Sequence, residues 1–273
     1  MAIKNNLPHL KTTNSPYHKG LPINVTDDNP SYVTIIDKTY RELTKLIALY
    51  TRTVFVRIDL HPAKTSNPLT ISMTKFCRSF QRQLETKYKT KVAYQWVQES
   101  GKNSHNKGIH WHLWVGVKNH NDYKPKRQTK EIYDIISKSW SKYSNGSNAA
   151  YHMAGWFYVE RNKLSLEQRL NQQQLISSGG DGVTLDINII RERLLNQSIA
   201  LGGVIDECFY AFSYLAKVYS KVRTDNTYGK HLIASSNISY SNEKPARKAT
   251  IEENLKKIDS QLERKLQPLK FTD

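Results

Sequence analysis

Two histidines one residue apart, His110 and His112, sit in the run Gly108-Ile-His-Trp-His-Leu-Trp-Val-Gly-Val117. Read with a period of two, Ile109, Trp111, Leu113, Val115 and Val117 are apolar, and His110, His112, Trp114 and Gly116 alternate with them, which is the pattern of a strand with one face in a core. The two imidazoles then stand side by side on the other face, close enough to share one divalent cation. Val92 to Glu99 reads as a preceding strand, and the Gly- and Asn-rich segment between the two reads as a hairpin loop. Parity puts Glu99 on the histidine face as a third ligand, with Gln98 the alternative if a bulge shifts the register. A second chemical element is Asp206 to Val222. On a helix, Ile205, Cys208, Phe209, Phe212, Leu215, Ala216 and Tyr219 fall on one side, and Tyr210, Tyr214, Lys217 and Lys221 fall on the other. A phenol is a weak nucleophile at neutral pH, and a neighbouring ammonium both favours its ionised form and can hold a phosphate, so Tyr214 with Lys217 one turn ahead suits phosphoryl transfer. Tyr210 on the same ridge is a second phenol.

Other elements must bring these groups together. Residues 1 to about 30, broken by four prolines, predict an irregular arm, and a helix fits Tyr32 to Tyr50. Residues 53 to 61 alternate Val54, Val56, Ile58 and Leu60 with Phe55, Arg57, Asp59 and His61, a strand whose polar face also offers possible ligands. A helix follows from Ser72 to Lys87. Lys118 to Lys130 reads as a basic loop in which Lys124, Lys126, Arg127 and Lys130 suit phosphate contacts, ahead of a helix over Glu131 to Tyr143. Tyr151 to Tyr158 is strand-like, residues 165–183 look like an insertion, and Thr184 to Gln197 fits a helix. The domain reading is an arm and helix over 1–50, a catalytic domain over 51–230, and a flexible linker with an amphipathic helix over 231–273, its stripe formed by Ile251, Leu255, Ile258, Leu262 and Leu266.

Composition narrows the class. The formal charge is +17 over 273 residues, with 38% hydrophobic and 10% aromatic side chains. Residues 231–273 hold eight Lys/Arg and six Asp/Glu, so +15 of that charge lies in residues 1–230. A folded body this basic points to a polyanionic partner. No stretch has the length of a membrane span and the N-terminus lacks a signal peptide's apolar segment, so the reading is cytoplasmic and without a membrane partner. Cys77 and Cys208 are too few for a thiolate metal site and read as reduced core thiols. There is no Gly-x-x-x-x-Gly-Lys-Ser/Thr loop, so a fused helicase is not expected.

His110-Trp-His112 followed by Tyr214-Leu-Ala-Lys217 resembles the HUH endonucleases that initiate rolling-circle replication, with Arg57-Ile-Asp-Leu-His61 where their first strand motif belongs. Trp96-Val-Gln-Glu99 and Ser213-Tyr-Leu-Ala-Lys217 bring the chain closest to the YagK/YfjJ group of prophage proteins, related to inovirus-type initiators. The resemblance covers about residues 50 to 230. It implies an α+β fold with a central antiparallel sheet, helices on one side, the histidines on the exposed sheet face and the nucleophile helix lying across it. It further implies a site-specific single-strand DNA endonuclease and strand transferase. In that activity Mn²⁺ or Mg²⁺, with zinc not excluded, is held by His110, His112 and Glu99, and Tyr214 takes a 5′-phosphotyrosine link from single-stranded or hairpin DNA at an origin. The free 3′ end would go to a host polymerase. Arg57, Lys124, Lys126, Arg127, Lys130 and Lys221 are the expected DNA contacts, and Tyr210 is read as a DNA contact in preference to a second nucleophile. Two rival readings stand beside this: a prophage DNA-binding regulator that keeps the fold without cutting, and a metal-dependent hydrolase that uses water in place of tyrosine.

Overall fold

The computed structural model describes residues 10–25, 29–63, 67–101, 108–120, 124–144, 151–163, 204–218 and 232–263. The arm contributes the short strands β1 (Thr12–Thr13), β2 (Tyr17–His18), β3 (Leu21–Pro22) and β4 (Ser31–Tyr32). After it come α1 (Val33–Leu49), β5 (Arg52–Leu60), α2 (Met73–Tyr88), β6 (Ala93–Gly101), β7 (Gly108–Lys118), α3 (Pro125–Tyr143) and β8 (Tyr151–Glu160). The chain ends with α4 (Val204–Ser213), a 3-10 turn over Tyr214–Ala216, β9 (Ile233–Ser235) and α5 (Pro245–Glu263). The insertion expected over 165–183, the helix expected over 184–197, and Lys221 lie outside the described residues.

The period-two patterns become one antiparallel sheet in the order β8-β5-β7-β6-β9. The alternating apolar sets, Val54, Val56, Ile58 and Leu60 with Trp111, Leu113, Val115 and Val117, face α2 and α3, where Phe76, Phe80, Leu84, Ile132, Ile136 and Trp140 close one core. The opposite face carries Phe55, Trp114 and Phe157 under α1 and α4, in a second core with Ile36, Leu43, Leu46, Phe209 and Phe212. Helices therefore cover both faces of the sheet, and the histidine face is not the exposed one the resemblance implied. The α+β class with a central antiparallel sheet holds. The reason for two layers is visible in the sequence of the second face: Phe55, Trp114 and Phe157 are large apolar side chains, each fully buried, and water on that face would leave them exposed.

Two boundaries differ from expectation. The basic run over Lys124 to Lys130 is helical, because α3 starts at Pro125. Proline is tolerated in a first turn, and the Arg127–Glu131 (3.2 Å) and Lys130–Asp134 (3.3 Å) pairs at i,i+4 extend the helix. The segment from Leu232, expected as a linker, adds β9 to β6. It is tied down by the buried Glu42 carboxylate, which accepts from Ser236 Oγ at 2.8 Å and Ile238 N at 2.9 Å. The expected C-terminal amphipathic helix is α5, and it docks on α1 through buried Ile251, Ile258 and Leu262 and through Tyr40 Oη donating to Asp259 at 2.7 Å.

Gly116 occupies a histidine-face position of β7. A Cβ there would meet the Phe55 ring at 2.5 Å and Leu46 at 2.8 Å, so the missing side chain lets Phe55 lie across the strand beneath α1. Gly116→Ala should lower stability by about 1–3 kcal/mol through overpacking, read as a reduced denaturant midpoint. An unchanged midpoint would mean that the ring has room to move.

Candidate metal centre and its tyrosine

Three central strands supply the polar groups. Cross-strand pairing sets Glu99 on β6 opposite His110 on β7, and Asp59 on β5 opposite His112. Gln98, the alternative ligand, has the opposite parity and pairs with Trp111. His112 Nε2 lies 3.2 Å from Glu99 Oε2, and His110 Nε2 lies 3.9 Å from the same oxygen. One ligand atom from each of Glu99, His110 and His112 falls within 4.8 Å of the others. Atoms bound about 2.1 Å from one ion at 90–110° sit roughly 3.0–3.4 Å apart, so the set fits a first-row or magnesium-sized ion with slight closure. Two imidazoles and one carboxylate are a borderline donor set, suited to Mn²⁺ and Zn²⁺ and open to Mg²⁺.

Asp59, among the possible ligands on the polar face of β5, meets His112 from behind. Its Oδ1 is 2.5 Å from His112 Nδ1, which fixes the ring so that Nε2 points at Glu99. A carboxylate behind a ligating histidine sets tautomer and orientation. Arg57 Nε, 3.6 Å from Asp59 Oδ1, stands behind it in turn. His61, the other polar residue of this strand end, stacks on the His110 ring at 5.3 Å and 15°.

The two histidines titrate in opposite directions. Burial pulls His112 down, but the carboxylates of Asp59 and Glu99 more than reverse this and hold it at about 9. His110 is pushed below the ordinary imidazole value by burial and by the His112 charge, against the pull of Glu99. In the metal-free protein His112 is therefore the charged member and His110 the neutral one.

The tyrosine arrives from the far end of the chain. Phe212 on α4 stacks flat on Trp114 at 5.1 Å and 5°, and meets Phe55 and Phe157 edge-on. Two residues later the chain has moved along β7 by one same-face position, and the Tyr214 ring meets His112 at 5.4 Å and 84°. Two cations also approach the ring, with Arg57 Cζ 4.5 Å and Lys217 Nζ 4.2 Å from its centroid. Lys217 thus reaches Tyr214 by a route other than the continuous helix expected over 206–222. That helix stops at Ser213 and tightens into the 3-10 turn. The cause is the N-terminal arm, for which the sequence suggested no chemistry. Asn24 N donates to Ser213 Oγ at 2.7 Å, Ser213 Oγ donates back to Tyr210 O at 2.8 Å, Ser31 bridges Lys217, and Val218 N donates to Pro30 O at 3.0 Å. The arm takes hydrogen-bonding groups that a longer helix would have used itself.

The remaining expected site residues are placed as follows. Tyr210 is only 2% exposed and lies one turn before Tyr214 on α4. Arg57 is 5% exposed, donates to Ala211 O at 3.3 Å, and is committed to the Tyr214 ring rather than open to solvent. Lys124, Lys126, Arg127 and Lys130 begin α3, whose core packs on the sheet face away from the histidines. Parity and register could have found Asp59 from sequence. Nothing in the sequence pointed to the arm.

Three outcomes follow from this geometry. His112 in the unfolded chain has the ordinary value of 6.5, so its contribution to metal-free stability is complete below about pH 6.5 and is lost as pH rises through about 9. An NMR titration of the chelator-treated protein should show its ring protonated beyond pH 8, and titration near pH 6 would remove the basis for this. Asp59→Asn should weaken Mn²⁺ binding, measured by calorimetry, about 10–100-fold while leaving Glu99, His110 and His112 in place. Phe212→Ala should cost about 3–5 kcal/mol of stability by leaving a cavity over Trp114.

The model of the YagK/YfjJ C-terminal domain family matches residues 13–174. The match takes in the arm, Asp59, Glu99, His110 and His112, and stops before Tyr214. No curated protein and no solved structure matches the chain. Among the described residues no helix is long and apolar enough to cross a membrane. With a family match over more than half its length, built on the strands that hold the Glu-His-His cluster, the chain belongs to the YagK/YfjJ C-terminal domain family.

Proposed function

We propose that this protein nicks and rejoins one DNA strand at the replication origin of a phage, prophage or plasmid element, by attack of Tyr214 on a phosphodiester, and so starts rolling-circle replication. One observation carries the reading: a tyrosine far along the chain from the Glu-His-His cluster packs against His112 with two cations over its ring. A core tyrosine with no chemical task has no need of that company. Glu99, His110 and His112 would hold Mn²⁺ or Mg²⁺, which would supply Lewis acidity to a phosphate oxygen.

The chain's own residues do the rest. Arg57, buried and tied to Ala211 O, and the half-buried Lys217 both lie over the phenol ring, and Lys217 is near enough to the surface to meet a phosphate. Both positive charges favour the phenolate that must attack. The Tyr214 oxygen bonds to phosphorus, the bond from phosphorus to the 3′ oxygen breaks, and that oxygen leaves as a 3′-hydroxyl after taking a proton. The 5′ phosphate remains on the tyrosine. Because a phosphodiester replaces a phosphodiester, a later 3′-hydroxyl can reverse the step and close a circle. Single-stranded or hairpin DNA is the substrate class, since a phosphate must reach a site set into a sheet face. The host supplies polymerase and helicase.

The test is incubation of a supercoiled plasmid carrying the element's origin with protein and Mn²⁺. The expected products are nicked circles and a protein-DNA adduct, both lost with chelator and with Tyr214→Phe, and retained with Tyr210→Phe. DNA binding without any adduct would favour the regulator, and cleavage unaffected by Tyr214→Phe would favour a water-using hydrolase.

A further inference from the structure

The sheet divides the protein into two sides, and positive charge is not shared evenly between them. On the side of the metal cluster, α1 and α5 together hold seven Lys/Arg and six Asp/Glu, a net of +1 over 36 residues. On the other side, α2 and α3 hold nine Lys/Arg and three Asp/Glu, a net of +6 over 35 residues. The two helices run antiparallel and side by side, joined where Gln83 donates to Ser139 at 2.9 Å and where Lys87 pairs with Glu131 at 2.9 Å. The acids of this layer are already used: Glu131 pairs with Lys87 and Arg127, Asp134 pairs with Lys130, and Glu85 accepts from Gln81. Lys75, Arg78, Arg82, Lys126, Lys138 and Lys142 are exposed and have no ion pair among the described residues. On α2 the first three follow at i, i+3 and i+7, one solvent-facing stripe.

We infer that the outer face of α2 and α3 is a second nucleic-acid surface, which holds the phosphate backbone of duplex DNA while the opposite side of the sheet handles the strand to be cut. The inference rests on the proposed DNA chemistry and adds a partner for a face which that chemistry does not use. The exposed positions of both helices are all polar or charged. An acidic membrane would call for an apolar stripe among the cations, and a single strand would call for exposed rings on which bases stack. Duplex backbone needs neither, only cations over a length of a helical turn. The 19 residues of α3 span about 28 Å at about 1.5 Å per residue.

Fluorescence anisotropy of the full chain with a random-sequence 20-base-pair duplex (a length of about two helical turns), over a range of salt, tests this. Lys75→Gln/Arg78→Gln/Arg82→Gln should weaken duplex binding about tenfold near physiological salt and reduce the slope of log K against log salt by about 2–3. A matched triple on the other side, Lys244→Gln/Lys248→Gln/Lys256→Gln, removes the same charge and should change either quantity little. Equal losses from the two triples would overturn the surface, as would an unchanged duplex slope with lost binding to phosphatidylserine vesicles. Tyr214→Phe should bind the duplex like the unaltered protein. Failure of the covalent chemistry with intact duplex binding is thus distinct from failure of the surface with an intact adduct.

Discussion

An imidazole buried between two carboxylates is the interaction that the site is built upon. His112 is 4% exposed and has Asp59 at one nitrogen and Glu99 at the other. Removing a charge from water is costly unless partners replace the solvent, and here two strands must each deliver a carboxylate to a third. That requirement fixes the register of β5, β7 and β6 at one point, because a slip of one residue would turn every ligand to the opposite core. The same three side chains, Glu99, His110 and His112, could hold a metal ion.

Everything around this centre keeps it rigid. The sheet is packed on both sides, with the Trp111 face against α2 and α3 and the Trp114 face against α1 and α4. Covering the second face sets the histidines inside the protein, where electrostatic effects are stronger than at a wet surface. It also provides the lever that locates the tyrosine: Phe212 sits on Trp114, so Tyr214 must fall near His112. The N-terminal arm completes the arrangement by ending α4 at Ser213 and pairing with Lys217, which turns the ammonium back over the phenol. A segment that contributes nothing to the cluster therefore decides where Tyr214 and Lys217 stand.

The charge distribution divides the protein in a second way. The cluster side is nearly neutral in its helices, and the α2/α3 side carries the excess of cations. A fully dispersed charge would serve only solubility and long-range attraction. Concentration on one two-helix layer gives that attraction a direction.

The sequence by itself determined the strands, their two-faced alternation, the Glu99, His110 and His112 set, the family and the basic character of the folded body. Each of these is a local pattern, with a period of two or a spacing of a few residues, and local patterns survive in a one-dimensional reading. Only the tertiary structure decided that the histidine face is buried, that Asp59 backs His112, that Arg57 and Lys217 flank the Tyr214 ring, and that α4 stops at Ser213. Those facts arise from contacts between residues such as Asn24 and Ser213 or Arg57 and Ala211, far apart in the chain. The α4 pattern alone could not anticipate its own end, because a helix that reads as continuous stops wherever another segment offers its backbone a better partner.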